Sequence, residues 1–114
     1  MSTATISTTE LAQRVREDVG LHVWNVLTDE YFKGEMIPGS RRVPLDRLGE
    51  SVRRSTLAKD AAVVVYCAGP SCPYSRNAAE KLAAFGYTHV TAYEGGLEEW
   101  KAAGFGVVGT GRIS

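Results

Sequence analysis

The run AAVVVYC, residues 61–67, constrains the fold of this chain more than any other stretch. It is short, rich in β-branched residues and apolar without alternation. A strand with one face in water alternates apolar and polar residues, so this pattern predicts a strand covered on both faces, as in a parallel sheet. Parallel strands need long crossover connections, which are usually helices.

The remaining patterns alternate between strand and helix. Short runs rich in β-favouring residues predict further strands at residues 4–7, 21–27, 41–45 and 88–96. Apolar residues at helical spacing predict helices at residues 8–18, 46–55, 73–85 and 97–104, and a single helical turn within 29–36. The alternation predicts an α/β fold with a mostly parallel central sheet of about five strands and helices on both faces.

Individual residues define the ends and the buried faces of these helices. Ser7 or Thr8 is placed to cap the first helix, and Gly86 to end the third in left-handed geometry. The third helix has an apolar stripe that should pack on the sheet, formed by Ala78, Ala79, Leu82, Ala83 and Phe85. The tail, residues 107–114, has too little pattern to assign.

Length and charge exclude several classes of protein. A chain of 114 residues is the size of one domain, and we expect a single domain over residues 1–114 with its core at about 6–107. Thirteen basic residues balance thirteen acidic ones, which disfavours nucleic acid as a partner. Neither a signal peptide nor an apolar run long enough for a membrane span is present, so we expect a cytoplasmic protein without a membrane partner.

Cys67 stands where the predicted central strand ends, and ligands of parallel sheets bind beyond the carboxyl ends of the strands. The Gly/Pro-rich segment that follows leads into a helix, with Pro73 suited to its first position. A helix N-terminus lowers the pKa of a nearby thiol, so the pattern favours a stabilised thiolate at Cys67. The competing interpretation is an inert buried cysteine. No metal site is expected, because Cys67 and Cys72 have no histidine beside them.

Several motifs in order resemble the rhodanese-like, single-domain sulfurtransferase family. They are an apolar strand ending in Tyr-Cys, a loop, a helix with A-A-x-x-L, then G-Y, a strand, G-G-x-x-x-W and A-G, all within residues 63–107. The earlier segment NVLTDEYFKGEMIPGSRRVPL, residues 25–45, is similar to that family's second strand, helical turn and Ile-Pro-Gly segment.

This resemblance implies a thiosulfate sulfurtransferase in which Cys67 is the catalytic nucleophile and carries sulfane sulfur as a persulfide. The donor would be thiosulfate or a similar small molecule, and the acceptor cyanide, a thiol or a protein. No cofactor is implied, and a monomer is the default state. Loop and first-turn residues would bind the substrate, namely Ala68, Gly69, Ser71, Cys72, Tyr74, Ser75 and Arg76.

The sequence also departs from the family pattern. Cys72 stands where relatives often have an arginine, so Arg76, Arg41 or Arg42 would have to recognise the donor if any arginine does. The family's Asp, Arg and His at three further places correspond here to Asn25, Leu27 and Met36, which removes charge near the expected site.

Cys72 has three interpretations. It is an incidental small residue, a resolving thiol that forms a disulfide with Cys67, or the sulfur carrier itself. Contact between Cys67 and Cys72 requires the loop to fold back on itself, because a disulfide needs Cα atoms within about 7 Å.

Two other functions compete with catalysis of sulfur transfer. A non-catalytic or sulfur-relay rhodanese-like binding module would explain the missing charges at positions 25, 27 and 36. A phosphatase or arsenate reductase resembles H-C-x5-R, but Tyr66 precedes the cysteine here and Pro73 occupies the position of the arginine. A doubly charged oxyanion would therefore lack its bidentate clamp.

Overall fold

The computed structural model describes residues 4–18 and 20–109, which are organised around a five-stranded sheet. Its strands are β1 (Ala4–Thr5), β2 (His22–Asn25), β4 (Arg41–Arg42), β5 (Ala62–Tyr66) and β6 (His89–Tyr93). In spatial order they are β1, β6, β5, β2 and β4, and every neighbouring pair is parallel. This confirms the predicted α/β architecture.

Four α-helices flank the sheet within the described residues, and none of them is long and apolar enough to cross a membrane. A short 3-10 helix, Leu45–Arg47, leads directly into the second of them. The helices are α1 (Thr8–Glu17), α2 (Leu48–Arg54), α3 (Tyr74–Ala84) and α4 (Gly96–Ala102).

Ser7 begins α1 with a reciprocal cap. Its hydroxyl accepts the Glu10 N–H at 3.2 Å, and the Glu10 carboxylate accepts the Ser7 N–H at 3.2 Å. Two N–H groups that the helix itself leaves unpaired are satisfied in this way. Of the two predicted caps, Ser7 is therefore the one used.

The central strand β5 is buried on both faces, as its sequence predicts. Val63, Val65 and the following Cys67 belong to a core cluster with residues of α2 and α3. Val64 and Tyr66 belong to a second cluster with residues of α1 and α4. Successive side chains of a strand point to opposite faces, so two helical layers require apolar residues at every position.

The stripe predicted on α3 is correct for its first three members only. Ala78, Ala79 and Leu82 are buried, whereas Ala83 is exposed and 41% of the surface of Phe85 is exposed. Phe85 lies after the last helical residue, where the helical spacing no longer applies. Gly86 follows with φ of +101°, the left-handed turn that was predicted.

The prediction for residues 29–36 was wrong in part. One helix-like turn does form, because the Thr28 carbonyl accepts the N–H groups of Tyr31 and Phe32, each at 3.0 Å. However, β3 (Glu35–Met36) is a strand and pairs antiparallel with β7 (Val108–Gly109). The sequence missed β7 because its partner is distant in the chain. The last residues of the unassigned tail, 110–114, lie outside the described residues.

Candidate active site

Cys67 comes directly after β5, at the carboxyl edge of the sheet, and its side chain is completely buried. Its thiol donates a weak hydrogen bond to the Cys72 carbonyl, with a sulfur to oxygen distance of 3.5 Å. The sulfur therefore lies beneath the loop that connects β5 to α3, in contact with the residue five positions later.

The loop folds back through a turn. The Cys72 N–H donates to the Gly69 carbonyl at 3.0 Å, and the Asn77 N–H donates to the Pro73 carbonyl at 3.0 Å in the first turn of α3. Pro73 lies immediately before the helix, within one residue of its predicted place. Glycine and proline at these positions let a short segment reverse direction above the sulfur.

Ser75, in the first turn of α3, is the second residue that reaches Cys67. It is completely buried, and its Oγ has no hydrogen-bond partner among the described residues. Its backbone N–H and its hydroxyl act to lower the pKa of the Cys67 thiol. Donors at a helix N-terminus stabilise negative charge on a nearby sulfur.

The opposing effects on the pKa of Cys67 nevertheless favour its neutral thiol form. Burial, with a smaller contribution from Cys72, raises the pKa of Cys67 to about 11, although the Ser75 N–H and hydroxyl act to lower this pKa. The expectation that Cys67 is a stabilised thiolate was therefore wrong for this conformation. The helix N-terminus is present as predicted, but the removal of water from the sulfur outweighs it.

The N-terminus of α4 fixes the backbone around Cys67. The Leu97 N–H donates to the Cys67 carbonyl at 3.1 Å, and the Glu98 N–H donates to the Ala68 carbonyl at 2.8 Å. Gly96 permits this approach, because its φ is +62° and a Cβ there would lie 2.5 Å from the Cys67 carbonyl oxygen. Gly95 and Gly96 thus make a tight turn from β6 into α4, and this turn holds the carboxyl ends of β5 and β6 together.

A cleft of about 240 Å³ opens beside Cys72 rather than beside Cys67. Arg76 and Glu94 stand at this cleft, and the Arg76 guanidinium donates from Nε and from one terminal nitrogen to the same Glu94 oxygen, at 3.0 and 2.6 Å. The Arg76 side chain is largely exposed, whereas the Glu94 side chain is half-buried. Pro70, Ser71, Pro73 and Asn77 complete the lining.

The predicted substrate-binding residues therefore divide into groups. Cys72 and Ser75 reach Cys67, whereas Ser71 and Arg76 line the cleft. Ala68 contributes its backbone, and Gly69 is packed against the side chain of Glu98, so a Cβ there would lie 2.9 Å from a carboxylate oxygen.

Tyr74 has a packing contact of its own, edge to face with Tyr31 at 6.1 Å between ring centroids. Glu94 was not predicted as the partner of Arg76, although it lies beside Gly95 and Gly96 at the end of β6. No group of three or more metal-ligating side chains occurs in the described part of the chain.

The other arginines considered for donor recognition lie elsewhere. Arg42 donates to Asn25 Oδ1 at 3.1 Å, to the Leu27 carbonyl and to Asp29 at 2.8 Å, and it stacks 4.0 Å above the Phe32 ring. These contacts hold the segment after β2 in place. Arg41 lines a separate cleft of about 400 Å³ that also contains Trp24 and Arg54.

The positions that lack the family's charges have structural roles. Asn25 is completely buried, and its amide oxygen accepts the Leu27 N–H at 3.1 Å as well as the Arg42 guanidinium. Leu27 is a core residue, and Met36 is half-buried in β3. An uncharged side chain suits position 27 in particular, because burying an unpaired charge in the core is costly.

Solved structures similar to this one come from several organisms. A protein from Bacillus halodurans is 28% identical, with a TM-score of 0.84, over 95% of this chain and 78% of its own. A rhodanese-related protein from Thermoplasma volcanium is 25% identical, with a TM-score of 0.74, over 92% of this chain and 97% of its own. The rhodanese-like domain of an Anabaena protein, 23% identical with a TM-score of 0.82, covers 99% of this chain and 86% of its own and shares the fold.

No curated protein matches the chain. The family model of the rhodanese-like domain, in contrast, matches residues 7–103, which include every strand of the central sheet except β1 and all four α-helices. The matched segment contains the whole cysteine loop together with the first turns of α3 and α4. The chain therefore belongs to the rhodanese-like domain family, a superfamily of sulfurtransferases.

Proposed function

We propose that this protein is a sulfurtransferase that carries sulfane sulfur as a persulfide on Cys67. The observation that carries the proposal is the place of Cys67, directly after the central strand and beneath the loop that leads into α3, with the unpaired buried hydroxyl of Ser75 in the first turn of that helix. Donors fixed in advance around a sulfur that becomes negatively charged stabilise that charge without reorganisation.

The reaction proceeds in two displacements. The Cys67 thiol first loses its proton, and the thiolate attacks the outer sulfur of thiosulfate, so that a new S–S bond forms and sulfite leaves with the electron pair of the broken bond. Cyanide or a thiolate then attacks the outer sulfur of the persulfide and releases the Cys67 thiolate. Covalent catalysis of this kind divides one transfer into two easier steps.

Donor binding is assigned to the cleft beside Cys72. Thiosulfate carries two negative charges, and Arg76 is the guanidinium at this cleft. Because Arg76 is already paired with Glu94, an incoming anion competes with that carboxylate. We therefore expect weak recognition of the small donor rather than a tight anion site.

A second candidate function is a sulfur-relay or binding module whose protein partner opens the loop. Complete burial of Cys67 and its raised pKa favour this alternative, because a small donor meets a covered, neutral thiol. The two functions share Cys67 and differ in what exposes it.

Thiocyanate formation from thiosulfate and cyanide tests the proposal, combined with mass spectrometry of the intact protein. The wild type should gain one sulfur atom and produce thiocyanate, and Cys67→Ser should do neither. The Cys72→Ser variant is the matched control, since it removes the other thiol of the loop. Sulfur gain that persists in Cys67→Ser would refute Cys67 as the carrier, and sulfur gain on the wild type without turnover would favour the relay module.

A further inference from the structure

The loop between β5 and α3 places the only two cysteines of the sequence in contact. The Cys67 thiol donates to the Cys72 backbone carbonyl, with a sulfur to oxygen distance of 3.5 Å. The turn closed by the Cys72 N–H and the Gly69 carbonyl at 3.0 Å brings residue 72 back to the Cys67 sulfur. A separation of five positions in the sequence thus becomes adjacency in space.

The two thiols differ in their access to solvent. Cys67 is completely buried, whereas Cys72 is half-buried and lines the 240 Å³ cleft with Arg76 and Asn77. A small anion that forms between the two sulfurs has an exit through that cleft, past the guanidinium of Arg76. Cys72 is therefore placed between the buried sulfur and water.

We propose that Cys72 resolves the persulfide of Cys67 and releases its outer sulfur as sulfide, with formation of a Cys67–Cys72 disulfide. This inference rests on the persulfide of the proposed function and adds a second outcome for the transferred sulfur. The protein would then reduce sulfane sulfur at the expense of its own two thiols, and an external thiol would restore them.

The step balances without any other reactant. The Cys72 sulfur attacks the Cys67 Sγ, the bond between Sγ and the outer sulfur breaks, and the outer sulfur leaves as hydrosulfide with the electron pair and the Cys72 proton. The sulfane sulfur is reduced to sulfide, and the two cysteines are oxidised to the disulfide. Two equivalents of an external thiol then reduce the disulfide by exchange.

Proximity makes this intramolecular step faster than hydrolysis or reaction with a dilute external thiol. Groups held in contact react as if at very high local concentration. The contact between Cys67 and Cys72 is present before any sulfur is bound, so the attacking atom needs only a local adjustment of the loop.

The test follows the fate of one loaded sulfur atom. The protein is loaded briefly with thiosulfate, desalted to remove donor and sulfite, and followed by intact-mass spectrometry and a sulfide assay without added thiol. In the wild type the added sulfur should disappear while two hydrogens are lost and one sulfide per chain appears. In Cys72→Ser the persulfide should persist, with a lifetime at least roughly ten times longer.

Each outcome is decisive. Equal persulfide lifetimes in the wild type and in Cys72→Ser, without a disulfide, would overturn this inference and leave the proposed function intact. Sulfur found on Cys72 instead of a disulfide would overturn it in favour of relay. If neither variant takes up sulfur, both the proposed function and this inference fail.

Oxidation of the unloaded protein by diamide tests the geometry separately, with Cys72→Ala as a second variant. An intramolecular disulfide should form in the wild type, and failure to form it would contradict the inference even if Cys72→Ser does not fold.

Discussion

Two loops leave neighbouring strands at the same edge of the sheet, and they use their polar atoms in opposite ways. At the loop after β2 the polar side chains hydrogen-bond to one another. Arg42 donates to the amide oxygen of Asn25, and the side chains of Asn25 and Ser40 both hydrogen-bond to the Tyr66 hydroxyl. The loop after β5 and the helix that follows it leave the buried Ser75 hydroxyl unpaired, keep both cysteines free of a disulfide and border a cleft. The polar groups after β2 therefore stabilise the fold, whereas those after β5 remain available for reaction.

Tyr66, the last residue of β5, and Cys67, which follows it, each contact one of the two loops. Tyr66 points to one face, where its hydroxyl accepts the Ile37 N–H at 3.0 Å and pairs with the Ser40 hydroxyl at 2.7 Å. Cys67 belongs to the cluster on the other face. Because side chains alternate along a strand, Tyr66 contacts the segment after β2 (residues 26–40, the structural loop) and Cys67 lies beneath the segment after β5 (residues 67–73, the reactive loop).

The largest expected effect concerns the ionisation of the reactive loop. Because burial and Cys72 raise the pKa of Cys67 to about 11, the thiol is neutral at pH 7 and its thiolate fraction grows with pH. In a Cys72→Ser background burial still raises the pKa, so the alkylation rate of Cys67 should increase from pH 7 to pH 9 by more than the roughly 25-fold expected of a free thiol with a pKa of about 8.5. Labelling of Cys67→Ser in parallel shows how much reaction belongs to Cys72, and a flat profile for Cys67 would mean that it is already ionised at neutral pH.

The second prediction concerns the close contact between Gly96, at the start of α4, and the backbone of Cys67. Gly96→Ala places a Cβ 2.5 Å from the Cys67 carbonyl oxygen at a φ of +62°, so we expect a loss of about 3 kcal/mol in the free energy of unfolding. Gly104→Ala is the matched control, with φ of +90° and no atom within 4 Å of the new Cβ, and should cost about 1 kcal/mol. Urea denaturation measures both, and equal losses would show that the close approach to Cys67 is unimportant.

The third prediction concerns the hydrogen bond between the Tyr66 hydroxyl and the structural loop. Tyr66→Phe removes the hydroxyl that satisfies the buried Ile37 N–H, and should cost about 2 kcal/mol of unfolding free energy. The hydroxyl of Tyr31, whose side chain is 52% exposed, offers a control, and Tyr31→Phe should change stability by less than about 0.5 kcal/mol. A similar small change in both variants would argue against a structural role for the Tyr66 network.

The smallest effect on stability is expected at the cleft. Arg76→Gln breaks an exposed ion pair with Glu94 and should cost less than about 1 kcal/mol. Under the proposed function it should raise the KM for thiosulfate several-fold and leave kcat nearly unchanged, because the guanidinium is assigned to donor binding. Arg53→Gln on α2 is the control for loss of one positive charge. Identical KM values for the two variants would remove Arg76 from donor binding.

Features that depend on neighbouring residues could be predicted from the sequence, whereas pairing between distant segments could not. The unbroken apolar run of β5, the Ser7 cap and the left-handed Gly86 were predictable, because each depends on a few neighbouring residues. The pairing of β3 with β7 was missed, since strands of two residues carry almost no pattern and acquire their hydrogen bonds from a distant segment. For the same reason a helical turn was expected where Glu35–Met36 form a strand.

The sequence by itself determined the family, the place of Cys67 at the end of the central strand and the presence of a helix N-terminus beyond it. Only the tertiary structure decided the electrostatic state of that cysteine and the contact between its sulfur and Cys72. Both depend on how much water is excluded from the sulfur and on how the loop turns. Burial and loop closure result from packing among α3, α4 and the sheet, which no local pattern of residues encodes.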